Sequence, residues 1–322
     1  MAAKMKTTDI LKDYDLGKTL GTGSFATVKL GTHKITKEKY AIKIIERENL
    51  QDDSALIEIE ILQKLSHPNI VALIDTYQTP RKLYLVMELV TGGELYDRIV
   101  ERGNYTEKDA SLLIGTIIKA IAYLHDRDVV HRDLKPENLL YASNAPDAEI
   151  KLTDFGLSKL LNPDKSMMTL CGSPLYVAPE ILANKGYDKS VDMWSIGVLL
   201  YILLCGFPPF YSESEPVLFK QIMKGQFDFP DPEWSEITPL AKELVTKLLD
   251  VNPKTRLTAH AALRHPWIAN EDAASPRSLQ DTIKALKIFN AKHKFKIAAK
   301  GIIAAGKLAS VIGQLSAAAH AS

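Results

Sequence analysis

The stretch HRDLKPENLL at residues 131–140 is followed by KLTDFGLS at 151–158 and by YVAPE at 176–180. The first two segments contain two aspartates, Asp133 and Asp154, together with Lys135 and Asn138. A single aspartate of this kind would most simply be a surface carboxylate or a helix cap. The ordered set of three segments is far more specific than any one of its residues, and it decides how the rest of the chain is interpreted.

The chain around these segments divides into two compositional regions and a tail. From Tyr14 to about Leu85 β-branched and aromatic residues alternate, as in KYAIKII, with one helical stretch at 54–65. After TGGEL (91–95) the pattern is mostly helical until Ile268, and NEDAASPRS (270–278) has the composition of a linker. The predicted fold class is therefore α+β. We expect an N-terminal extension (1–13), a small lobe (14–88), a hinge (about 88–91), a helical lobe (92–268) and a tail (269–322).

A glycine-containing turn precedes these three segments. LGTGSFATV at 20–28 can lay backbone amides over the phosphates of a nucleotide, although a plain hairpin turn gives the same pattern. Lys43 follows on a predicted strand, and Glu58 follows on the predicted helix. A helix-borne carboxylate that fixes a lysine ammonium would let it neutralise phosphate charge, and Glu60 is the competing carboxylate.

Together these segments resemble the signature set of protein kinases, in the same order, over roughly residues 14–268. The resemblance implies a bilobal protein-kinase fold that transfers the γ-phosphoryl group of ATP with the help of Mg²⁺. It implies that Asp133 accepts the proton of the substrate hydroxyl and that Lys135 steadies the transferring group. Asn138 and Asp154 are implied as the magnesium ligands.

The same resemblance assigns the nucleotide site and favours Glu58 over Glu60 as the partner of Lys43. The residues it assigns to ATP are Leu20, Gly21, Thr22, Gly23, Ser24, Phe25, Val28, Ala41, Lys43, Met87, Glu88, Val90, Glu94 and Leu140. One departure is visible, because the third glycine of the kinase glycine-rich loop is Ala26 here. An alanine fits that position only where its φ is negative.

Two features resemble the serine/threonine class of kinases. Lys135 follows HRD-Leu, and GSP (172–174) precedes APE. Glu94 and Glu137 match the carboxylates that such kinases direct at an arginine upstream of the target residue. We therefore expect protein substrates with basic residues upstream of a serine or threonine.

The resemblance also implies two structural contacts. Glu180 should pair with Arg256, and Asp192 should brace the catalytic loop. Both expectations concern the fold and add nothing to the chemistry.

The segment between DFG and APE contains Thr169, which resembles the activating phosphosite of type I calcium/calmodulin-dependent kinases. A phosphate there would bind Arg132 and order the loop, so an upstream activating kinase is an expected partner. An unmodified loop threonine is the alternative.

Composition limits the remaining classes. The formal charge is +1, yet residues 282–322 carry seven of the 40 basic residues and no acidic one, so the body is acidic and the tail basic. Cys171 and Cys205 have no disulfide or zinc spacing. The start lacks a signal-peptide core, and Ala2 replaces the glycine that myristoylation needs. We expect a cytoplasmic protein without a nucleic-acid partner, and the sequence does not exclude a nuclear location.

The tail segment 279–308 interleaves lysines with large apolar residues, a pattern typical of a calmodulin target or a membrane-surface helix. Its first half resembles the autoinhibitory and calmodulin-binding segment of type II calcium/calmodulin-dependent kinases, which favours calcium-loaded calmodulin. Phe295 and Leu308 lie thirteen residues apart, about 20 Å along a helix, with Ile302 between them, a spacing suited to one anchor for each calmodulin lobe. The pair Phe289 and Ile302 has the same spacing.

Two departures from the type II enzymes shape the regulatory hypothesis. Leu279 stands where those enzymes have an arginine, and their oligomerising domain does not follow, so autonomous activity through Thr282 is not expected. The expectation is a monomer whose tail blocks the lobes until calmodulin removes it. Two alternatives stay open: a catalytically silent kinase-fold scaffold, and a kinase whose basic tail binds anionic membrane.

Overall fold

The computed structural model describes residues 5–22, 26–46, 54–155, 159–160, 174–184, 186 and 188–296, with only the backbone at 54–58 and 159–160. The strands are β1 (Tyr14–Thr22), β2 (Ala26–His33), β3 (Lys39–Glu46), β4 (Leu73–Gln78), β5 (Lys82–Glu88), β6 (Val129–Val130), β7 (Leu139–Tyr141), β8 (Ile150–Leu152) and β9 (Lys159–Leu160). The α-helices are α1 (Ser54–Lys64), α2 (Leu95–Arg102), α3 (Glu107–His125), α4 (Pro179–Leu182), α5 (Ser190–Cys205), α6 (Glu215–Lys224), α7 (Pro239–Leu248), α8 (Ala259–Leu263) and α9 (Pro266–Ala269). A further helix at residues 280–296 is called the tail helix below.

The small lobe is an antiparallel sheet with the strand order β1-β2-β3-β5-β4. Because side chains alternate along a strand, Ile42 and Ile44 of β3 point away from the large lobe and join a separate cluster with Tyr14 and Tyr77. Ile45 belongs instead to the main core that both lobes share. One face of the sheet therefore packs in a cluster confined to the small lobe, and the other face packs toward the large lobe.

The large lobe is built around α5, whose residues 191–205 are all buried. A helix that is apolar on all sides needs cover on all sides, and α3, α4, α6 and α7 supply it around the shared core. Thr106 and Asp109 close a capping box at the start of α3, which fixes where this long helix begins. The predicted two-lobed α+β arrangement is confirmed. Within the described residues, no helix is both long enough and apolar enough to cross a bilayer.

The linker-like segment after α9 is packed against the large lobe. Ala274 is buried in the core, and Ser278 forms a β-bridge with Thr106. The amide of Leu279 donates to the carbonyl of Tyr105 at 2.7 Å. The large lobe therefore extends through Leu279, and the tail helix starts directly from it.

The predicted ion pair between Glu180 and Arg256 forms in the core of the large lobe. Two guanidinium nitrogens donate to the two carboxylate oxygens at 2.6 and 2.9 Å, and both side chains are buried. Arg256 also donates to the carbonyls of Asp250 and Ser190. This bidentate geometry ties α4 to the loop between α7 and α8.

Replacing Arg256 by alanine should lower the free energy of unfolding by about 3–5 kcal/mol, because it leaves the Glu180 carboxylate buried without its partner. Chemical denaturation monitored by circular dichroism measures this. The matched control is Lys247→Ala, which removes a solvent-exposed pair with Glu243 and should change the stability far less than the Arg256 variant does. Equal losses in the two variants would contradict the assignment of a structural role to the buried pair.

Candidate active site

One face of the small-lobe sheet gathers several residues predicted to bind ATP. Residues opposite each other in antiparallel strands share a face, and Ala41 lies opposite Met87, while Lys43 lies opposite both Val28 and Leu85. Leu85 belongs to the main core, so this is the face turned toward the large lobe. The sheet register therefore brings the predicted walls of an adenine pocket and the predicted phosphate-binding lysine onto one surface.

The chain leaves β5 along the edge of β7, where the two lobes meet. The amide of Gly92 donates to the carbonyl of Tyr141 at 2.8 Å, and Glu94 forms a bridge with Leu140. The Glu88 carboxylate pairs with Lys151 of β8 at 2.8 Å and accepts from the amide of Ala72. Leu140 therefore lies beside the segment predicted to be the hinge, as a residue on the floor of a nucleotide site would.

The lysine of β3 reaches the DFG segment of the large lobe. Lys43 Nζ lies 3.6 Å from a carboxylate oxygen of Asp154, and the aspartate side chain is half-exposed. Asp154 has a φ of +59°, a left-handed backbone that a non-glycine residue adopts only when its surroundings fix it. Phe155 supplies part of that constraint, because its buried ring packs edge-to-face on His131 at 5.1 Å.

The catalytic loop is held by one buried carboxylate at the start of α5, as predicted. Asp192 accepts hydrogen bonds from the amides of His131 at 3.0 Å and Arg132 at 2.8 Å, and it pairs with His125 at 2.9 Å. Arg132 has a φ of +74°, so these bonds hold the loop in a left-handed turn. Burial raises the pKa of Asp192, but the hydrogen bond with His125 and the nearby histidines outweigh it, and its pKa falls below the ordinary value.

The turn places the predicted catalytic groups against each other. Lys135 Nζ and the Asn138 side-chain amide both donate to the same oxygen of Asp133, at 2.5 and 3.1 Å. The Asn138 amide also donates to the Asp133 carbonyl at 2.7 Å. Because the side-chain nitrogen is engaged in this way, the side-chain oxygen Oδ1 of Asn138 is the atom left to act as a ligand.

A short hairpin links this group to Asp154. Strands β7 and β8 pair from Leu139 with Leu152 to Tyr141 with Ile150, and the amide of Thr153 donates to the carbonyl of Asn138 at 2.9 Å. Because the two strands are antiparallel, Asn138 before β7 and Asp154 after β8 lie at the same end of this ladder. Among the described residues, no group of three or more His, Cys, Asp or Glu side chains could hold a metal ion alone. One amide and one carboxylate oxygen fit Mg²⁺, which takes few protein ligands and completes its shell with phosphate and water.

Three carboxylates lie at the edge of the large lobe, beside the last described turns of the tail helix. Glu94, Asp97 and Glu137, called the acidic cluster below, all contact the tail. Lys294 Nζ lies 3.1 Å from Glu94 and 2.5 Å from Asp97, and His293 Nε2 lies 2.8 Å from a Glu137 oxygen. The sequence had assigned Glu94 and Glu137 to a substrate arginine. The tail therefore places basic groups on carboxylates predicted to bind substrate.

Asp97 was missed by the sequence interpretation. It lies three residues after Glu94 in the first turn of α2, a spacing that puts both on one helix face, and this is the signal that could have found it. Its carboxylate also accepts from the side-chain amide of Asn290 at 2.8 Å. Burial lowers the pKa of Lys294, but its hydrogen bonds with Asp97 and Glu94 outweigh burial and raise that pKa above the ordinary value.

Several predicted residues lie outside the described part of the chain, and for them the roles stay predictions. They are Gly23, Ser24, Phe25, Thr169, Ile302 and Leu308, together with the side chain of Glu58, of which only the backbone in α1 is described. Leu20, Gly21 and Thr22 lie at the end of β1 and are exposed. Phe295 is 77% exposed on the outer side of the tail helix.

Comparison with known proteins agrees with this geometry. A family model described as the protein kinase domain matches residues 14–268. The chain is 50% identical over 280 residues to myosin light chain kinase A of Dictyostelium discoideum, covering 86% of this chain and 94% of that protein. It is 50% identical over 272 residues to calcium/calmodulin-dependent protein kinase type 1B of Homo sapiens (84% and 79%) and 46% identical over 304 residues to the human type IV enzyme (94% and 64%).

Replacing Asp192 by asparagine should destabilise the protein by about 2–4 kcal/mol and speed amide hydrogen exchange at His131 and Arg132, because a buried charged acceptor is lost. A carboxylate with a lowered folded pKa stabilises fully above 3.8, and that contribution is lost as pH falls from 3.8 through the folded value. The stability gap between parent and variant should therefore shrink below pH 3.8.

The matched control for this variant is Asp126→Asn, which alters a solvent-exposed aspartate–histidine pair with His260. It should leave the exchange of the loop amides unchanged. A stability gap for the Asp192 variant that stays constant from pH 6 into the acid range, or loop amides that exchange as in the parent, would contradict the bracing role.

Proposed function

Since the chain belongs to the protein kinase family, we propose that it is a serine/threonine kinase that transfers the γ-phosphoryl group of ATP to protein hydroxyls, is inhibited by its own tail and is activated by calcium-loaded calmodulin. The observation that carries the regulatory part is the contact of Lys294 and His293 with the acidic cluster. Names of the relatives include calcium/calmodulin-dependent kinases at about 50% identity, which supports the choice of activator.

In the proposed reaction Asp133 takes the proton from a substrate serine or threonine hydroxyl as that oxygen bonds to the γ-phosphorus. The bond between the γ-phosphorus and the oxygen bridging it to ADP breaks, and ADP leaves. The Lys135 ammonium, 2.5 Å from the Asp133 carboxylate, lies where it would balance charge on the transferred group. Asp133 is buried, so its orientation is set by the loop before substrate arrives.

Asn138 and Asp154 would hold Mg²⁺, which supplies charge neutralisation between the phosphate oxygens when it is bound. Lys43 is positioned on the sheet face that would cover the nucleotide, and it already lies close to Asp154. Its contact with α- and β-phosphates, with Glu58 as the fixing carboxylate, is part of the proposal. Ala26 lies in β2, in the extended backbone of a strand, which is compatible with an alanine in place of the third glycine.

The acidic cluster is proposed to recognise basic residues upstream of the target hydroxyl. Glu137 is partly buried, its Oε1 pairs with His293, and its Oε2 has no hydrogen-bond partner within the described residues. Burial raises the pKa of Glu137, but the hydrogen bond with His293 outweighs it and the net pKa is lowered, so the group is a carboxylate at neutral pH. A forked guanidinium could use both oxygens, which makes an arginine a better ligand than the tail histidine.

The tail helix presents two different faces, and they match its two proposed partners. Ile283 and Leu286 are buried against the large lobe, whereas Ile288 and Phe295 are 57% and 77% exposed. Exposed lysines surround these two apolar residues. Calmodulin could therefore contact Phe295 while the tail is still docked, and removal of the helix would free the acidic cluster. Ile302 and Leu308 are proposed as the further anchors.

Two threonines complete the regulatory proposal. Thr169 is proposed as the site at which an upstream kinase activates the enzyme, through a phosphate that pairs with Arg132. Thr282 is buried, and its hydroxyl donates to the carbonyl of Leu204 at 2.9 Å. A phosphate cannot be added to Thr282 in this position, so the docked tail protects it from modification.

Replacing Asp133 by asparagine should lower kcat by about 100- to 10,000-fold, because the proton acceptor is lost. Asp154→Ala should reduce transfer to background. A peptide assay with radiolabelled ATP measures both, and Asp147→Asn, an acidic residue between β7 and β8 that the proposal does not use, serves as the control. Retained activity in the Asp133 and Asp154 variants would contradict catalysis at this site, and inactivity of the folded parent would favour the scaffold alternative.

Removing the tail after Leu279 should raise calcium-independent activity on the order of tenfold or more, because the acidic cluster becomes accessible. This end point keeps Ala274 and the bridge at Ser278, which a cut at 268–270 would remove. In the full chain, Lys294→Ala should raise calcium-independent activity by roughly two- to tenfold. Lys292→Ala, which removes an equal charge from an exposed position of the same helix, should not.

Equal activities for the full and shortened chains without calcium would contradict autoinhibition. Binding assays separate the two tail partners. Calcium-dependent binding to calmodulin supports the proposal, whereas calcium-independent binding to anionic vesicles without calmodulin binding would favour the membrane alternative.

A further inference from the structure

The tail helix passes directly over the glycine that follows α5. Gly206 follows Cys205 at the end of α5 and has a φ of +86°. A Cβ built on Gly206 would lie 2.6 Å from the Cβ of Ala285, 2.7 Å from the carbonyl oxygen of Thr282 and 2.8 Å from the amide nitrogen of Leu286. Two of these three atoms are tail backbone, which cannot turn aside as a side chain could. The helix can therefore occupy this position only above a residue without a side chain.

The contacts around Gly206 are those of a docking site. Thr282 donates to the carbonyl of Leu204 at 2.9 Å, and Thr282, Ile283 and Leu286 are all buried. Leu286 lies eight residues before Lys294, a separation of about 12 Å along a helix. The first turns of the tail helix are thus fixed against the end of α5. Because the helix is continuous, this contact also sets the position of Lys294 at the acidic cluster.

We propose that Gly206 is the docking notch of the tail, and that its missing side chain decides whether the tail helix can reach the acidic cluster. The inference rests on the proposed autoinhibition and adds the residue that controls it. Gly206 contacts neither the predicted catalytic groups nor the carboxylates that bind the tail lysine. A change at Gly206 therefore alters docking without altering the catalytic site or the outer, calmodulin-facing side of the helix.

The left-handed backbone alone does not explain the contact. Gly103 ends α2 with a φ of +63°, and a Cβ built there would meet nothing within 4 Å. An alanine at either position has the strain of a left-handed residue, but only the alanine at Gly206 would collide with the tail. Gly103→Ala is therefore the matched control for Gly206→Ala.

A second variant produces the same collision from the tail side. Ala285→Leu places added bulk over Gly206 and leaves the catalytic lobes unchanged, which guards against a folding defect in Gly206→Ala. Ala291→Leu makes the same change at an exposed position of the tail helix and is its control. Leucine favours helix as alanine does, so neither variant weakens the helix itself.

The test uses the full chain and two readouts. The first is peptide phosphorylation without calcium and with saturating calcium and calmodulin, and the second is amide hydrogen exchange over residues 282–294. Gly206→Ala and Ala285→Leu should raise calcium-independent activity on the order of tenfold and accelerate tail exchange, because overpacking disfavours the docked state. Calmodulin-saturated activity should match the parent in both, and both controls should behave as the parent.

The two readouts separate this inference from the proposal beneath it. If calmodulin stimulates the parent but both notch variants match their controls in activity and exchange, the proposal that Gly206 controls docking of the tail is wrong. If the notch variants accelerate tail exchange but leave calcium-independent activity at the level of their controls, the notch stands and autoinhibition by the docked tail is wrong. If Gly206→Ala does not fold, Ala285→Leu against Ala291→Leu decides by the same two readouts.

Discussion

The Asp192 carboxylate is the contact on which the active-site geometry depends. It lies at the first turn of α5, inside the core, and it accepts the amides of His131 and Arg132. Those two bonds hold Arg132 in a left-handed turn, and the turn sets Asp133 beside Lys135. A carboxylate so deeply buried is stabilising only because its charge is compensated by hydrogen bonds and by histidine. The catalytic loop thus takes its shape from the core and needs no substrate to form it.

The opposite end of the same helix carries the contact on which the proposed regulation depends. Gly206 seats the tail helix at the C-terminus of α5, while Asp192 shapes the catalytic loop at the N-terminus. Because one rigid helix carries both contacts, the position of the tail is fixed relative to the site it covers. The basic tail and the acidic body then meet through Lys294 and the acidic cluster. These half-exposed ion pairs are weak individually, which suits a contact that calmodulin is proposed to displace.

The sequence predicted the parts of this arrangement that depend on ordered motifs and periodicity. Periodicity predicts the two lobes, and the resemblance carried by the ordered motifs implies the hydrogen bonds that Asp192 accepts and the Glu180–Arg256 pair. The contact of Asp97 with the tail was not predicted, because the helix dipole alone accounts for an acidic residue in the first turn of a helix. The packing of residues 274–279 on the large lobe was not predicted, because hydrogen bonds between main-chain groups do not depend on residue type and a Ser/Pro-rich composition indicates a linker. The role of Gly206 was not predicted, because a glycine after a helix is the usual C-cap residue. Only the structure shows that the tail helix packs over it.

In the proposed mechanism, the tail and the substrate compete for one set of carboxylates, the acidic cluster. The most direct measurement is the initial rate of the full chain without calcium, at saturating ATP, over rising concentrations of a peptide with arginines upstream of a serine. Competition of this kind should raise the KM for the peptide, so that the rate at high peptide approaches that of the calmodulin-saturated enzyme. A lowered plateau with an unchanged KM for the peptide would contradict it.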